Sequence, residues 1–141
     1  MNRPDLQAFP LRTHDKVRYA DTDRQGHVNN ASFSSFLETG RVECLYNEGL
    51  PILKPGASFV IASLNLNFLK EINWPGQVDI GAGVLKIGNA SIRLYQQLFQ
   101  GSVCVATAET VIVQVDNHSG GSTPLSDTAR EVLAQWLIDL G

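Results

Sequence analysis

The residue types best suited to chemistry are concentrated in one polar segment, ADTDRQGHVNN, which covers residues 20–30. The segment has neither helical nor strand periodicity, which predicts a loop. An apolar pattern with helical spacing follows it directly, so the loop leads into the start of a helix. The candidate site residues in this loop are two carboxylates, a glycine, a histidine and two asparagines: Asp21, Asp23, Gly26, His27, Asn29 and Asn30.

A loop of this composition beside a helix N-terminus is suited to acyl transfer. The first backbone N–H groups of a helix have no intrahelical acceptor and lie at the positive end of the helix dipole, so they can bind a carbonyl oxygen that becomes negative. A carboxylate held opposite can attack the carbonyl carbon or deprotonate a water that does. Aspartates are also typical of turns, and asparagines of helix caps, so a purely structural role stays open for these residues.

The helix that follows is predicted over about residues 30–47, where Asn29 or Asn30 can cap its start. Gly40 lies on its apolar face, which predicts a close approach to a sheet. The apolar face is formed by Phe33, Phe36, Leu37, Cys44 and Leu45, and the polar side by Ser32, Ser35, Thr39 and Glu43.

Strand patterns account for most of the remaining chain. A first strand is expected at about residues 15–20, and four more at about 57–70, 77–87, 91–100 and 102–116. In the second strand, Leu64, Leu66 and Phe68 alternate with polar residues and predict one buried face. Gly81 and Gly83 predict a bulge or a close backbone approach in the third.

The predicted elements form one layered domain. In the last strand, small residues at 104, 106 and 108 can accept a packed helix, and residues 126–140 predict a terminal amphipathic helix with a capping Ser or Asp. One long helix followed by antiparallel strands predicts an α+β fold in which the helix covers one face of the sheet. We expect a single domain over residues 1–141.

The segment YADTDRQGHVNNASFSSFLETGR, with its D-x-D, its H-V-N-N and its aromatic-rich helix, resembles the hotdog-fold acyl-CoA thioesterases of the 4-hydroxybenzoyl-CoA thioesterase type. The resemblance implies a five-stranded antiparallel sheet wrapped around the central helix, and a homodimer or dimer of dimers with the site near the subunit interface. By position, the resemblance implies that Asp23 is the catalytic nucleophile or general base and that the backbone N–H of Asn30 polarises the thioester carbonyl. His27, the nearby titratable ring, is the third candidate catalytic residue.

The same resemblance implies that Gly26, Asn29 and Tyr19 shape the substrate-binding loop. The expected substrate is an acyl-CoA, with acyl-carrier protein as an alternative donor. No cofactor or metal is expected, because coenzyme A is part of the substrate. In the family the Glu38–Arg41 pair tends to lie near the subunit contact, although these two residues can equally form a surface i,i+3 pair.

Two other functions are compatible with these residues. A hotdog dehydratase or hydratase needs a histidine and a carboxylate for proton transfer next to the carbonyl, and His27 with Glu38 is the candidate pair. A domain that only binds acyl-CoA is the non-enzymatic alternative. The D-x-D disfavours it, since a binder needs no carboxylate aimed at the thioester.

Composition excludes several other classes of protein. With 11 Lys+Arg, 14 Asp+Glu and a formal net charge of −3, the chain lacks the basic surface of a nucleic-acid binder. No apolar run approaches the roughly 20 residues of a membrane span, and no secretory signal is visible, so a cytoplasmic location with reduced Cys44 and Cys104 is expected. The three histidines lack metal-ligand spacing.

Overall fold

The structure is a computed structural model that describes residues 3–47, 49 and 51–140. Its strands are β1 (Leu11–Val17), β2 (Ala57–Phe68), β3 (Gly76–Ile87), β4 (Ser91–Gln100) and β5 (Val103–Asp116), and its helices are α1 (Asn30–Leu45) and α2 (Asp127–Ala134). The strands form one antiparallel sheet in the spatial order β1-β3-β4-β5-β2. The predicted α+β arrangement of five antiparallel strands, a long helix and a C-terminal helix is confirmed.

The predicted ends of two elements are wrong. The first strand is expected at residues 15–20, but it covers Leu11–Val17, and Tyr19–Asp21 form a short 3₁₀ turn. The terminal helix is expected at residues 126–140, but it ends at Ala134. β1 pairs with β3 only as far as Ala82. The free edge of β3 beyond that point is taken by the chain after α2: Val84 N–H donates to Trp136 O at 2.8 Å.

Helix α1 begins where the sequence predicts and packs on the sheet as expected. Asn29 caps it, since its side chain accepts from Ser32 N–H at 3.1 Å. A Cβ on Gly40 would lie 2.7 Å from Ile80 Cγ2, so the predicted close approach to the sheet is confirmed. Ser32, expected on the polar side, is buried at the capped first turn. The core between α1 and the sheet includes Phe33, Phe36, Leu37, Val78, Ile80 and Leu98.

The predicted burial of one face of β2 is only partly correct. Leu66 packs against the core, but Leu64 is 39% exposed and Phe68 is 48% exposed. β2 is an edge strand, and α1 lies mainly over β1, β3 and β4, with a ring contact from Phe33 to Phe68 at the end of β2. The apolar side chains of β2 that point toward the α1 side of the sheet are therefore left partly uncovered.

The glycines of β3 permit close contacts, as predicted. A Cβ would lie 2.5 Å from the Phe9 ring at Gly81 and 2.7 Å from Ile138 at Gly83. Cys104, grouped by sequence with Ala106 and Ala108, packs instead with Phe9, Tyr95 and Phe99 on the other face. A register shift between β4 and β5 at Leu98/Phe99 interrupts the alternation there. None of the helices described is long and apolar enough to span a membrane.

Candidate functional site

The loop that holds the predicted site residues is a tight, hydrogen-bonded turn. Asp23 N–H donates to His27 O at 2.7 Å, and Gly26 N–H donates to Asp23 O at 3.0 Å. Gly26 adopts φ 84°, a conformation that side chains with a Cβ rarely take. Oδ1 of Asp23 accepts from Gln25 N–H at 2.9 Å. The turn thus fixes the backbone of Asp23 and occupies one carboxylate oxygen, while the other accepts no hydrogen bond from the residues that the structure describes.

The loop is attached to the connection between β2 and β3. Val28 N–H donates to Ile72 O at 3.0 Å, and His27 forms a bridge with Asn73. Asn73 is held in turn by the side chain of Gln100, which accepts from its N–H at 2.9 Å and donates to its carbonyl at 2.8 Å. These contacts join the loop, through the connection, to the end of β4.

A cavity of about 420 Å³ lies between this loop, the start of α1 and the end of β2. Its apolar wall includes Phe33 and Phe68, whose rings meet edge to face with centroids 5.0 Å apart. The residues that line the cavity are Asp23, Gln25, His27, Val28, Asn30, Phe33, Phe68, Leu69, Lys70 and Glu71. The structure therefore brings together all three predicted catalytic residues, Asp23, His27 and Asn30.

The helix start supplies a hydrogen-bond donor at this cavity. Asn30 is the first residue of α1, and its N–H has no acceptor among the residues that the structure describes. The N-terminal end of a 16-residue helix also carries a positive partial charge. An oxygen that becomes negative can therefore be stabilised in this cavity without competition from a protein acceptor.

His27 has a partner that the sequence did not identify. Its Nε2 lies 2.6 Å from Glu71 Oε2, and both side chains are about half exposed, at 43% and 55%. Glu71 lies 44 positions away, in the connection after β2, so no local motif links it to the loop. In the sequence, Glu71 appears only as a charged residue next to a predicted strand end. Such residues are too common to identify a site.

The three predicted substrate-binding residues do not line the cavity. Gly26 makes the turn described above, and the Asn29 side chain is committed to Ser32 N–H and to Asp21 O. Tyr19 is 72% exposed and packs edge to face on Trp74, with ring centroids 5.2 Å apart. Their roles in substrate binding stay predictions.

Asp21 and Glu38 have contacts that differ from those of a catalytic group. Asp21 Oδ2 accepts from Arg18 N–H at 2.9 Å, and its carbonyl accepts from Asn29, as expected of a residue with a structural role in the turn. Glu38, the candidate carboxylate partner of His27 in a dehydratase, does not line the cavity of Asp23 and His27. It lines a separate cavity together with Arg41.

The two cysteines lie apart from the Asp23 cavity. Cys44 is buried and Cys104 partly buried, and both are free thiols. Burial raises the pKa of the Cys44 thiol to about 12. Within residues 3–47, 49 and 51–140, no three His, Cys, Asp or Glu side chains are grouped as a metal site.

Comparison with known proteins places this geometry in a family. The chain is similar in structure to the PA5185 protein of Pseudomonas aeruginosa, with a TM-score of 0.87, 23% identity and coverage of 99% and 100% of the two chains. It is also similar to a thioesterase from Thermus thermophilus solved with coenzyme A and Zn, with a TM-score of 0.77, 28% identity and coverage of 92% and 96%.

A related sequence is YsmA of Bacillus subtilis (strain 168), which is 25% identical over 119 residues, or 83% of this chain and 80% of YsmA. The family model of the Thioesterase-like superfamily matches residues 17–137. That range includes the whole loop, α1 and all strands after β1. The sheet and central helix match the hotdog fold of this family. The chain belongs to the thioesterase-like superfamily.

Proposed function

We propose that the protein is an acyl-CoA thioesterase that hydrolyses a thioester to a free acid and coenzyme A. One observation carries the proposal: Asp23 lines the same cavity as Asn30, whose backbone N–H is unpaired within the described chain. Membership of the thioesterase-like superfamily supports it, as does the coenzyme A present in the Thermus thermophilus relative. The finer assignment to the 4-hydroxybenzoyl-CoA thioesterase type is part of the proposal.

In the proposed reaction, the thioester carbonyl oxygen accepts a hydrogen bond from Asn30 N–H. Asp23 then takes a proton from a water that attacks the carbonyl carbon, or attacks the carbon itself to form an anhydride that water hydrolyses. The C–S bond breaks, the sulfur leaves as a thiolate, and a proton returns to it. The organic product is a carboxylic acid, and the reaction consumes only water.

His27 is proposed to act beside Asp23. Its imidazole lines the cavity, and the 2.6 Å contact with Glu71 holds one ring nitrogen on the wall formed by the β2–β3 connection. His27 is the proposed source of the proton that the leaving thiolate takes up.

The test of the proposed function is the Asp23→Asn variant. We expect it to lower kcat at least about a hundredfold, because the carboxylate is the base or nucleophile, while Asn keeps the shape and the oxygen that accepts from Gln25 N–H. Thermal unfolding should stay nearly unchanged, since Asp23 is exposed. Thiol release from a panel of aliphatic acyl-CoAs, one aryl-CoA and one acyl-carrier protein measures the effect.

Full turnover in Asp23→Asn would refute the assignment. Saturable binding of acyl-CoA with no free coenzyme A released by the wild-type protein would favour the binding-module alternative. Hydration of crotonyl-CoA, measured as a loss of enoyl absorbance, would favour the hydratase alternative.

We also propose that two copies pair along β2. This strand has 12 residues, lies at one edge of the sheet and exposes Val60 and Ile61 at 44% and 49%. A long apolar edge presents unpaired backbone groups, which a second strand can satisfy. Size-exclusion chromatography with light scattering should give the mass of two chains, or of four for a dimer of dimers. A stable single chain at micromolar concentration would contradict it.

A further inference from the structure

The turn that carries the candidate site residues is held by the β2–β3 connection. Glu71 Oε2 lies 2.6 Å from His27 Nε2, and Ile72 O accepts from Val28 N–H at 3.0 Å. Asn73, the next residue, forms a bridge with His27. Three consecutive residues of the connection therefore contact two consecutive residues of the turn, so the position of the turn depends on the position of the connection.

Two of the three proposed catalytic groups depend on these contacts. Asp23 N–H donates to His27 O at 2.7 Å, so the backbone of Asp23 follows that of His27. The His27 imidazole is held by Glu71. Asn30 N–H belongs to α1, which packs on the sheet through its own core contacts. A shift of the connection would therefore move Asp23 and His27 relative to the N–H that acts with them in the proposed reaction.

The connection is itself held at two points. At its start, the N–H groups of Leu69 and Lys70 donate to Val105 O at 2.9 Å and 3.1 Å. At its end, the side-chain amide of Gln100 binds both backbone groups of Asn73. Its Oε1 accepts from the N–H at 2.9 Å, and its Nε2 donates to the carbonyl at 2.8 Å. Gln100 thus pairs with Asn73 as the backbone of a neighbouring strand would.

The surroundings of Gln100 keep its amide in this position. Gln100 is the last residue of β4 and pairs with Val103 of β5, so the sheet fixes its backbone. A Cβ on Gly76 would lie 2.8 Å from Gln100 Nε2, so a glycine there leaves room for the amide. Asn73 is exposed, and water can replace both bonds to its backbone when the side chain of Gln100 is removed. The pairing therefore contributes more to the position of the connection than to the stability of the fold.

We propose that Gln100 is a positioning residue for the hydrolysis reaction. Acting through Asn73, it keeps the turn aligned with the start of α1. The inference rests on the proposed function, because it takes Asp23, His27 and Asn30 N–H as the reacting groups. Gln100 does not itself line the Asp23 cavity. Misplacement of a catalytic group by about 1 Å can lower the rate about a hundredfold, so a contact outside the cavity can control turnover.

The first test is Gln100→Met, which keeps the length of the side chain and removes both its donor and its acceptor. We expect kcat to fall about ten- to a hundredfold and KM to change much less, since every residue that lines the cavity is retained. The matched control is Gln77→Met. Gln77 is an exposed glutamine on β3 whose amide donates to Asp79 Oδ1 at 2.9 Å, so its loss should leave kcat unchanged.

Gln100→Asn is the second variant. It keeps the amide but shortens the side chain by one methylene, so the amide can no longer make both bonds to Asn73. Its kcat should fall in the same direction as that of Gln100→Met, although the side chain stays polar. Thermal unfolding shows which variants are folded under the assay conditions, and Gln100→Asn provides the test if Gln100→Met is not.

Hydrogen exchange tests the same inference without turnover. In the Gln100 variants, the amide hydrogens of Asp23 and Val28 should exchange faster than in the wild type. The bond of the first closes the turn, and the bond of the second joins the turn to the connection. Gln77→Met should leave both exchange rates unchanged. If the wild-type protein hydrolyses no thioester but exchange still responds to Gln100, the proposed function fails and the hold of Gln100 on the turn stands.

Three results would overturn the inference: unchanged kcat in the folded Gln100 variants, an equal loss of kcat in Gln77→Met, or unchanged exchange at Asp23 and Val28. A loss confined to KM would likewise contradict it, because Gln100 would then affect substrate binding and not the alignment of the reacting groups.

Discussion

Two cavities of similar volume lie against α1, and they differ in chemistry. The one at the start of the helix, of about 420 Å³, is lined by Asp23, His27, Lys70 and Glu71 and by an unpaired backbone N–H. The one beside its second half, of about 390 Å³, holds no helix N-terminus among its described residues and is lined by Leu11, Gly40, Cys44, Ile80, Ala82 and Trp136 together with the polar residues Arg12, Thr13, Glu43 and Asn47. Volume alone does not separate them.

The difference lies in what each end of a helix offers. At the N-terminus, backbone donors are free and the dipole attracts a negative oxygen, so a few polar side chains suffice to make a reactive site. In the second half every N–H has an intrahelical acceptor, and the helix is held close to the sheet at Gly40. The N-terminal end of α1 is therefore available for chemistry, whereas its second half fixes the position of the helix on the sheet.

The largest effect that tests this contrast concerns Cys44, the thiol that lines the second cavity. Burial raises the pKa of this thiol from 9.0 to about 12. At pH 9 the thiol is therefore protonated in the folded protein, whereas in the unfolded chain about half of it is ionised. The thiolate is the reactive form. Alkylation of Cys44 at pH 9 should therefore be about five hundredfold slower in the folded state, and its rate should rise only as the pH approaches 12.

A Cys104→Ala background isolates this thiol, and denaturant provides the fully reactive reference. The sign for stability follows from the same shift. Between pH 9 and about 12 the unfolded state loses a proton that the folded state keeps, so Cys44 lowers stability as the pH rises in that window. Equal labelling of folded and unfolded protein at pH 9 would mean that Cys44 is as reactive as an exposed thiol, and the contrast would fail.

The next effect concerns the close contact that anchors α1. Gly40→Val adds atoms where a Cβ already meets Ile80 Cγ2 at 2.7 Å and Gln96 Nε2 at 2.8 Å. We expect the free energy of unfolding to fall by about 1–3 kcal/mol, the range for an overpacked core. Thermal and denaturant unfolding measure it. The matched control is Gly121→Val, because a Cβ there meets only Ser119 Oγ, at 3.6 Å. Equal losses in both variants would remove the special role of Gly40.

The packing of α1 on the sheet was predictable from the sequence, because the spacing of apolar residues indicates which face of a helix is buried. The spacing of Phe33, Phe36 and Leu37 identified the face of α1, and a glycine on that face identified the contact with the sheet. The prediction failed for β2, where Leu64 and Phe68 alternate like buried residues but are partly exposed. Alternation shows that a face is apolar, and only the strand order shows whether α1 reaches it.

The candidate site was predictable only where it is continuous in sequence. Asp23, His27 and Asn30 lie within eight consecutive residues that end at a predicted helix start. The loop composition and the helix-capping signal were therefore enough to group them. Phe68, Lys70 and Glu71 enter the cavity because β2 ends beside the start of α1, which is a consequence of sheet topology. The burial of Arg41, whose guanidinium donates one long hydrogen bond to Gln96 Oε1 at 3.5 Å, was likewise visible only after packing was known.

The smallest expected effect on stability, and the sharpest test of the first cavity, concerns Glu71. Its contact with His27 is short, at 2.6 Å, but both side chains are about half exposed, so Glu71→Gln should change the free energy of unfolding by less than about 1 kcal/mol. Turnover should fall several-fold, since His27 O accepts the backbone N–H of Asp23 and the imidazole is held by Glu71. Glu109→Gln, which removes the 3.7 Å partner of Arg93, is the control and should leave kcat unchanged.

A double-mutant cycle with His27→Gln separates positioning from a general surface effect. If Glu71 acts through His27, the double variant should be no slower than His27→Gln alone. Independent, additive losses would show that the two residues affect the reaction separately. The cavity at the start of α1 would then owe its reactivity to Asp23 and the helix terminus, with the β2–β3 connection serving only as a wall.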